Sequence, residues 1–214
     1  MLTCPDAPRT LRFKMEREER MRMLDSDEHI APLTAFVRDI RHERRLPDAV
    51  PFFDPCDGGT RARALFLLDC PGDAARHSGF VSRNNPDDTA ETLFELQEEA
   101  SLPRADVAIW NAVPWHVAVN GGKWKLGRGD AEHAQAYLSR LIALLARLQA
   151  VVIVGRRAQS VVGEVPVPAG VRLFESPHCS PVAMRTRPGT RDEVLAVWSE
   201  VAAFLGLYPW NPVA

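Results

Sequence analysis

Four polar side chains that could do chemistry each come shortly after a short apolar segment of the sequence. Asp69 and Cys70 follow ALFLL, Asn111 follows VAIW, and His178 comes soon after VRLF. A carboxylate, a thiol, an amide and an imidazole can transfer protons, attack an electrophile or hydrogen-bond a heterocycle. These residues are far apart in the sequence, so the fold must bring them together if they form one site.

The pattern of apolar segments predicts such a fold. Strands are predicted at 64–68, 107–110, 151–154 and 171–174. Helices are predicted from residue 27 to the RHERR sequence, at 89–100, from 130 to about 148, at 157–162 and at 190–205. This alternation is typical of the α/β class, here three layers (α/β/α) around a central, mainly parallel four-stranded sheet. Parallel strands end at one shared edge, so Asp69, Asn111, Gly155 and His178 are predicted to converge on one cleft.

The stretch from residue 64 to residue 85 is the one around which the chain is arranged. Its strand stops at DCPG (69–72), because proline cannot donate to a sheet and glycine permits unusual backbone angles. The polar loop that follows contains one isolated aromatic residue, Phe80. A strand that opens into a polar, glycine-bearing loop is where open α/β sheets bind ligands. The sequence therefore predicts the active site here.

Composition limits the remaining possibilities. The 214 residues are 46% hydrophobic and 25% charged, as expected for one globular domain rather than a disordered chain. No apolar run approaches the length of a membrane span, and residues 1–23 are mostly charged, unlike a signal peptide. We expect a cytoplasmic monomer that does not bind membranes. The net charge of −2 gives no sign of nucleic-acid binding, although a local basic face remains compatible with it.

The cysteines and the ends of the chain complete this first assignment. Cys4, Cys56, Cys70 and Cys179 form no CxxC pair, so we expect no metal, no iron–sulfur cluster, no other cofactor and no disulfide. Residues 1–27 are predicted to be an N-terminal extension, with a short helix around 14–24. Residues 28–214 are predicted to be a single domain.

Three motifs in this order resemble the uracil-DNA glycosylase superfamily. They are LDCPG (68–72) with Phe80 downstream, the strand-end Asn111, and HCSPV (178–182). The resemblance covers roughly residues 60–205. It implies a monofunctional DNA glycosylase of base excision repair that hydrolyses the N-glycosidic bond of a flipped-out base. The expected partner is DNA that contains uracil or another damaged base.

The resemblance also assigns roles to individual residues. Phe80 would stack on the extruded base, and Asn111 offers the donor and the acceptor that match the edge of uracil. His178 would donate a hydrogen bond to the negative charge that develops on the departing base. Asp69 is the first candidate for polarising water or stabilising the cationic sugar, and Asp73 is the second.

The HCSPV loop would contact DNA. Pro181 and Met184 belong to the segment that would enter the minor groove as a wedge, and Ser180 belongs to the same loop. Arg185 and Arg187 would neutralise phosphates and supply the basic patch that the net charge conceals. The alternative is an ordinary solvated loop.

The sequence departs from the family pattern at two positions. Cys70 stands where the best-known branches carry Asp or Asn, and we interpret it as a small residue that lines the pocket. Gly72 stands where one branch carries a tyrosine that blocks thymine, so a broader range of bases is a hypothesis. Two other functions stay open: a protein of the same fold that binds DNA or a nucleobase without cutting, and a cysteine-dependent hydrolase with Cys70 as nucleophile and His178 as base.

Overall fold

The structure is a computed structural model that describes residues 6–46, 49–117, 119–120, 123–124, 126–163 and 167–207. Its α-helices are α1 (Lys14–Ser26), α2 (Ala31–Arg44), α3 (Asp73–Ser78), α4 (Asp88–Glu99), α5 (Asp130–Leu144), α6 (Arg156–Val162), α7 (Pro181–Thr186) and α8 (Thr190–Phe204). Its strands are β1 (Phe52–Phe53), β2 (Ala64–Leu68), β3 (Phe80–Val81), β4 (Val107–Asn111), β5 (Val119–Asn120), β6 (Lys123–Trp124), β7 (Ala150–Val154) and β8 (Arg172–Ser176). Short 3₁₀ turns lie at Thr10–Arg12, Gly59–Arg61 and Arg104–Asp106.

The central sheet contains the four predicted strands, in the order β4-β2-β7-β8, and all of them are parallel. Strands β2, β4 and β7 are almost entirely buried, which explains why they appear in the sequence as continuous apolar runs. The edge strand β8 alternates between exposed and buried residues along most of its length. The register pairs Leu68 with Asn111 and Val154 with Ser176, so the strands end together.

Helices cover both faces of the sheet. Phe66 and Trp110 lie on opposite faces, because Phe66 pairs with Ile109 and successive residues of a strand alternate in direction. The Phe66 ring packs edge-on against Trp198 of α8, with centroids 5.0 Å apart. Trp110 lies 6.3 Å from Phe36 of α2. The three-layer α/β/α architecture with a parallel four-stranded sheet is therefore confirmed.

A second, two-stranded parallel sheet, β1 with β3, packs beside β4. Phe53 of β1 stacks on Trp110 with ring centroids 3.9 Å apart and planes 6° apart. This contact packs β1 against β4, and β3, which pairs with β1, leads to Asn85 in the site described below.

The N-terminal segment is held by a buried group of charges that we call the charge cluster: Arg20, Asp54, Asp57, Ser82 and Arg104. Asp54 is fully buried and accepts hydrogen bonds from Arg20, Ser82 and Arg104, the last at 2.7 Å. Arg104 also donates to Asp57 at 2.6 Å. The part of residues 1–27 that the structure describes thus packs into the domain, and a boundary at residue 27 stays a prediction.

Several local expectations need correction. Helix α5 ends at Leu144 rather than near residue 148, and Gly129 is its N-cap residue. The short helices α3 and α7 lie in segments that were predicted as loops, because two turns of helix show too little apolar periodicity to be recognised. The expectation of no disulfide is wrong at Cys56, which is disulfide-bonded. Cysteine spacing does not reveal which segments meet in the fold, and this geometry decides whether a disulfide forms.

Candidate active site

Two loops at the carboxyl edge of the sheet are hydrogen-bonded residue by residue. After the paired ends of β2 and β4, the amides of Ala112 and Val113 donate to the carbonyls of Leu68 and Asp69 at 2.7 and 3.0 Å. The contact continues with the Val117 amide on the Cys70 sulfur and with His116 Nδ1 3.2 Å from the Pro71 carbonyl. The loop at 68–71 and the loop at 112–117 therefore form one rigid frame.

This frame borders a cavity of about 470 Å³. The predicted site residues in its wall are Asp69, Cys70, Gly72, Asp73, Asn111 and His178. The other lining residues used below are Asn85, His116 and Arg157. The strand-end argument from the sequence thus places the carboxylate, the thiol, the amide and the imidazole around one space.

Asn111 is the most unusual group in the wall. It is only 4% exposed, and its Nδ2 is buried without a hydrogen-bond partner among the described residues. Buried polar atoms are nearly always paired, so an unpaired donor in a cavity wall calls for an explanation. A ligand that supplies an acceptor is the simplest one.

His178 is held so that one ring nitrogen, Nε2, makes no hydrogen bond to a described residue. Its Nδ1 accepts a hydrogen bond from the Ser180 amide at 3.1 Å, so the proton of the neutral ring sits on Nε2. Burial lowers the pKa of His178, and the carboxylate of Asp69 opposes this shift. The ring is therefore a neutral N–H donor at physiological pH. Its Nε2 lies 3.8 Å from Asp69 Oδ2, too far for a hydrogen bond.

Two neighbouring elements position this ring. Gly155, just after β7, has φ +93°, and a Cβ there would lie 2.8 Å from His178 Cδ2. At the end of β8, Ser176 Oγ accepts from the indole N–H of the buried Trp198 at 3.1 Å. Cys179, next to His178, is fully buried, so the loop is anchored on the core while the histidine faces the cavity.

Asp69 lies beside His178 but is already engaged. Its Oδ1 accepts from the amide of Ala158 in α6 at 3.2 Å, and its Oδ2 lies 3.9 Å from a guanidinium nitrogen of Arg157. Burial raises the pKa of Asp69, while His178, Arg157 and the Ala158 amide oppose the shift. The carboxylate of Asp69 therefore lies where it can act electrostatically on the imidazole of His178.

The other residues of the 69–73 loop differ in their suitability. Burial raises the pKa of the Cys70 thiol, so it stays protonated at neutral pH and is a poor nucleophile. This argues against the cysteine-dependent hydrolase. Asp73 is 91% exposed and lies 3.4 Å from Arg76. At Gly72 an added Cβ would meet no atom within 4 Å, so this wall of the cavity is open.

Phe80 does not lie where base stacking requires it. The side chain is completely buried in β3 and is not part of the cavity wall, so it has no face open to a ligand in this conformation. Its carbonyl accepts from Asn85 Nδ2 at 2.9 Å. Asn85 is 3% exposed and lines the cavity, and its Oδ1 has no partner among the residues that the structure describes.

The residues expected to bind DNA lie on α7 and next to it, and two of them, Ser180 and Arg187, line an open groove that continues from Asp69 and His178. Ser180 caps α7 by accepting from the Ala183 amide at 3.3 Å. Met184 packs against the core, whereas Val182 is 60% exposed, so Val182 is the apolar side chain that projects from this helix. Pro181 is the first residue of the helix.

The two arginines of this region differ. Arg187 Nη2 donates to both carboxylate oxygens of Glu193, at 2.5 and 2.7 Å. Arg185 makes no ion pair within the described ranges. Of the two residues expected to neutralise phosphate, only Arg185 is thus without a carboxylate partner in the described part of the protein.

Three residues of the cavity were missed in the sequence. Arg157 follows the end of β7 by the same rule that identified Asp69, and it lines both the cavity and the groove. His116 lies five residues beyond Asn111, in a loop whose course the strand pattern does not predict. Asn85 is the last residue of the stretch from residue 64 to residue 85, but nothing in its sequence context distinguishes it from a turn residue.

The fold and the cavity define the class of protein first: a three-layer α/β protein with its candidate ligand site at the carboxyl edge of a parallel sheet. The chain belongs to the uracil DNA glycosylase superfamily, since the model of that family matches residues 50–202. A comparison with curated proteins found no significant match. Membership supports a DNA glycosylase-like function in DNA repair, in a family that acts on damaged DNA. Among the described residues, no helix has both the length and the apolar character needed to span a bilayer.

Proposed function

We propose that the protein is a monofunctional DNA glycosylase that hydrolyses the N-glycosidic bond of uracil, or of a related deaminated base, flipped out of DNA. The observation that carries the proposal is the unpaired, buried Nδ2 of Asn111 in the cavity wall. A flipped base must present its hydrogen-bonding edge to the protein, because it has lost its pairing partner. The amide of Asn111 can donate to O4 of uracil and accept from N3–H, and cytosine has the opposite pattern there.

The departing base needs stabilisation as an anion. When the glycosidic bond breaks, its electron pair goes to N1 of the base, and the negative charge spreads to a carbonyl oxygen. The Nε2–H of His178 would donate to that oxygen. A neutral donor fixed in advance stabilises developing charge without reorganisation, which is the principle of an oxyanion hole.

The sugar becomes positively charged in the same step. We assign Asp69 to the stabilisation of this cation, because its carboxylate lies at the same end of the cavity as His178. Asp73 keeps a smaller supporting role at the mouth. Val182, Ser180, Pro181, Met184 and the arginines Arg185 and Arg187 would meet the DNA as α7 approaches the duplex.

One observation favours the non-catalytic alternative, a protein of this fold that binds DNA or a nucleobase. The carboxylate expected to assist water, Asp69, accepts from Ala158 and lies beside Arg157, and the thiol of Cys70 is protonated. If no other group accepts the proton of water, the site would bind a base without releasing it.

The test is base release from matched oligonucleotides with one uracil, either single-stranded or paired with G or A. Abasic sites are revealed with alkali. Wild type is compared with Asn111→Ala and His178→Ala, and with His77→Ala as a control, because His77 is exposed and does not line the cavity. Release that collapses in the two site variants but not in the control supports the proposal.

The alternative outcomes have distinct meanings. Release of hypoxanthine but not uracil keeps the chemistry and changes the base. Binding to uracil-containing DNA without release of any base supports the non-catalytic protein. Capture of the enzyme on DNA by borohydride contradicts a monofunctional mechanism, since it requires an amine nucleophile.

A further inference from the structure

The cavity contains a second histidine, His116, in addition to His178. It lies between two buried residues, Trp115 and Val117, which are 5% and 3% exposed. Trp115 packs against Tyr137 with ring centroids 6.3 Å apart, and the Arg44 guanidinium lies 4.6 Å from the centre of its ring. The backbone around His116 is therefore fixed, although the imidazole itself is exposed at the cavity.

The hydrogen bond of His116 determines its tautomer. Nδ1 lies 3.2 Å from the carbonyl oxygen of Pro71. A carbonyl oxygen only accepts, so Nδ1 must carry the proton, and Nε2 of the neutral ring is an acceptor that bonds to no residue in the described ranges. This is the reverse of His178, where the Ser180 amide donates to Nδ1 and the proton lies on Nε2.

The other polar groups of the wall are less suited to accept a proton from water. Cys70 is a protonated thiol, and Asp73 is 91% exposed beside Arg76. Asp87 uses Oδ1 to cap α4, where it accepts from Thr89 and Ala90. Asp69 is held by the Ala158 amide and lies 3.9 Å from a guanidinium nitrogen of Arg157.

We propose that His116 is a catalytic residue, the general base that accepts a proton from the attacking water. This inference rests on the proposed glycosylase function. The water oxygen bonds to C1′ of the sugar as the glycosidic bond breaks, and one water proton passes to His116 Nε2. The electron pair of the broken bond leaves on the base, which His178 stabilises with its N–H. The base then takes up a proton and His116 returns its proton to solvent, so the products are an abasic sugar and the free base.

In this arrangement the two imidazoles have opposite tautomers: His178 donates a hydrogen bond, and His116 accepts a proton. Each tautomer is fixed by a backbone group of the loop framework, Pro71 for one ring and Ser180 for the other. A site with a fixed donor and a fixed acceptor needs no charged nucleophile. That accounts for an active site that carries Cys70 where the best-known branches of the superfamily have Asp or Asn.

The experiment separates catalysis from a structural role of the same hydrogen bond. His116→Gln keeps an N–H donor for the Pro71 carbonyl but has no basic nitrogen, and His116→Ala lacks both. The matched control is His133→Gln, because His133 Nδ1 also binds a backbone carbonyl, that of Gly129 at 2.5 Å, and does not line the cavity. Single-turnover release of the base that wild type excises is measured with enzyme in excess, together with binding of the same DNA.

We expect both His116 variants to release the base roughly a hundredfold more slowly than wild type, with little change in DNA binding. Added imidazole is expected to restore part of the rate in His116→Ala, since a small base can occupy the vacated space. His133→Gln is expected to behave like wild type.

Three results would overturn the inference. If His116→Gln keeps the wild-type rate while His116→Ala loses it, the residue only positions the Pro71 loop. If both variants remain fully active, the proton goes elsewhere, and the glycosylase proposal stands without it. If wild-type enzyme releases no base, the proposed function fails and this inference fails with it.

Discussion

The charge cluster and the cavity wall both contain buried polar side chains, but these side chains differ in their hydrogen bonding. In the cluster, Asp54 accepts from two arginines, a serine and the amide of Cys56. In the cavity, Asn111 is buried almost as deeply, and its Nδ2 has no partner among the described residues. Buried polar groups that satisfy one another stabilise the fold, whereas one left unsatisfied lowers stability unless a ligand completes it. The contrast therefore separates groups that hold the fold together from groups that we propose to bind the base.

Buried atoms without a hydrogen-bond partner also occur outside the cavity. Arg20 Nε, Asp57 Oδ2 and Gln97 Nε2 are buried without partners, but each belongs to a side chain that is bonded through another atom. None of these three residues lines the cavity. Within the described ranges, only Asn85 and Asn111 combine an unpaired buried atom with a position in the cavity wall.

The largest expected effect comes from removing the unpaired amide. Asn111→Leu has a similar volume and loses no hydrogen bond of Nδ2 to a described residue, so the free energy of unfolding should stay the same or rise. Base release should fall by roughly a thousandfold, because the base loses the group that reads it. Denaturant unfolding and single-turnover release measure the two effects. A large loss of stability would show that the amide has a structural partner and would remove the contrast.

The opposite result is expected in the charge cluster. Asp54→Ala leaves Arg20 and Arg104 buried without their shared carboxylate, which should lower the free energy of unfolding by about 3 kcal/mol. The matched control is Asp25→Ala, which breaks an exposed pair with Arg38 and should leave the unfolding midpoint nearly unchanged. Equal effects of the two substitutions would contradict the structural role of the cluster.

The pH dependence of this effect has a definite sign. Burial alone would raise the pKa of Asp54, but Arg104 and Arg20 hold it below its ordinary value. The ionised carboxylate therefore contributes stability above the unfolded pKa of about 4, and the contribution is lost as pH falls through the lower native pKa. The difference in the free energy of unfolding between wild type and Asp54→Ala should become smaller only at acidic pH.

The third prediction concerns the packing that positions the His178 ring at the cavity. Gly155→Ala places a Cβ 2.8 Å from the His178 ring at a residue with φ +93°, so the ring must move. Gly170→Ala has a similar backbone angle, φ +88°, with no atom within 4 Å. Both variants carry backbone strain of about 1–3 kcal/mol at a positive φ, but only Gly155→Ala should slow base release, by roughly a hundredfold. Equal rates in the two variants would mean that the position of His178 does not limit the reaction.

The same contrast explains how much the sequence could predict. The four central strands follow from continuous apolar runs, and the shared edge of a parallel sheet then places Asp69, Asn111 and His178 together. These predictions depend on local pattern and on a general rule of topology. The superfamily resemblance adds the class of chemistry, which the site residues alone leave open.

The features that the sequence could not predict depend on partners far away in the chain. Arg20 belongs to a charged segment that looks solvated, and it is buried because Asp54 and Asn84 meet it across the fold. Phe80 looks like a ligand platform because it is isolated in a polar loop, but β3 pairs with β1 and buries it. The tautomers of His116 and His178 are set by single backbone contacts that no sequence pattern encodes.

The smallest effect we predict tests a difference in chemistry between the two regions. In the cluster the cations are arginines, which remain charged when a carboxylate is removed. In the cavity the group beside Asp69 is a histidine, whose pKa responds when the carboxylate is removed. Burial already lowers the pKa of His178, and the Asp69 carboxylate opposes that shift.

Asp69→Asn should therefore lower the pKa of His178 further below its ordinary value of 6.5, because the carboxylate that favours the imidazolium is gone. An NMR titration of the histidine side chains measures this, with the exposed His133 as internal reference. His178 would then remain a neutral N–H donor to lower pH, while the sugar cation would lose its stabilising charge. An unchanged pKa of His178 would show that Asp69 is protonated in the native protein and would remove its proposed role in stabilising the cation.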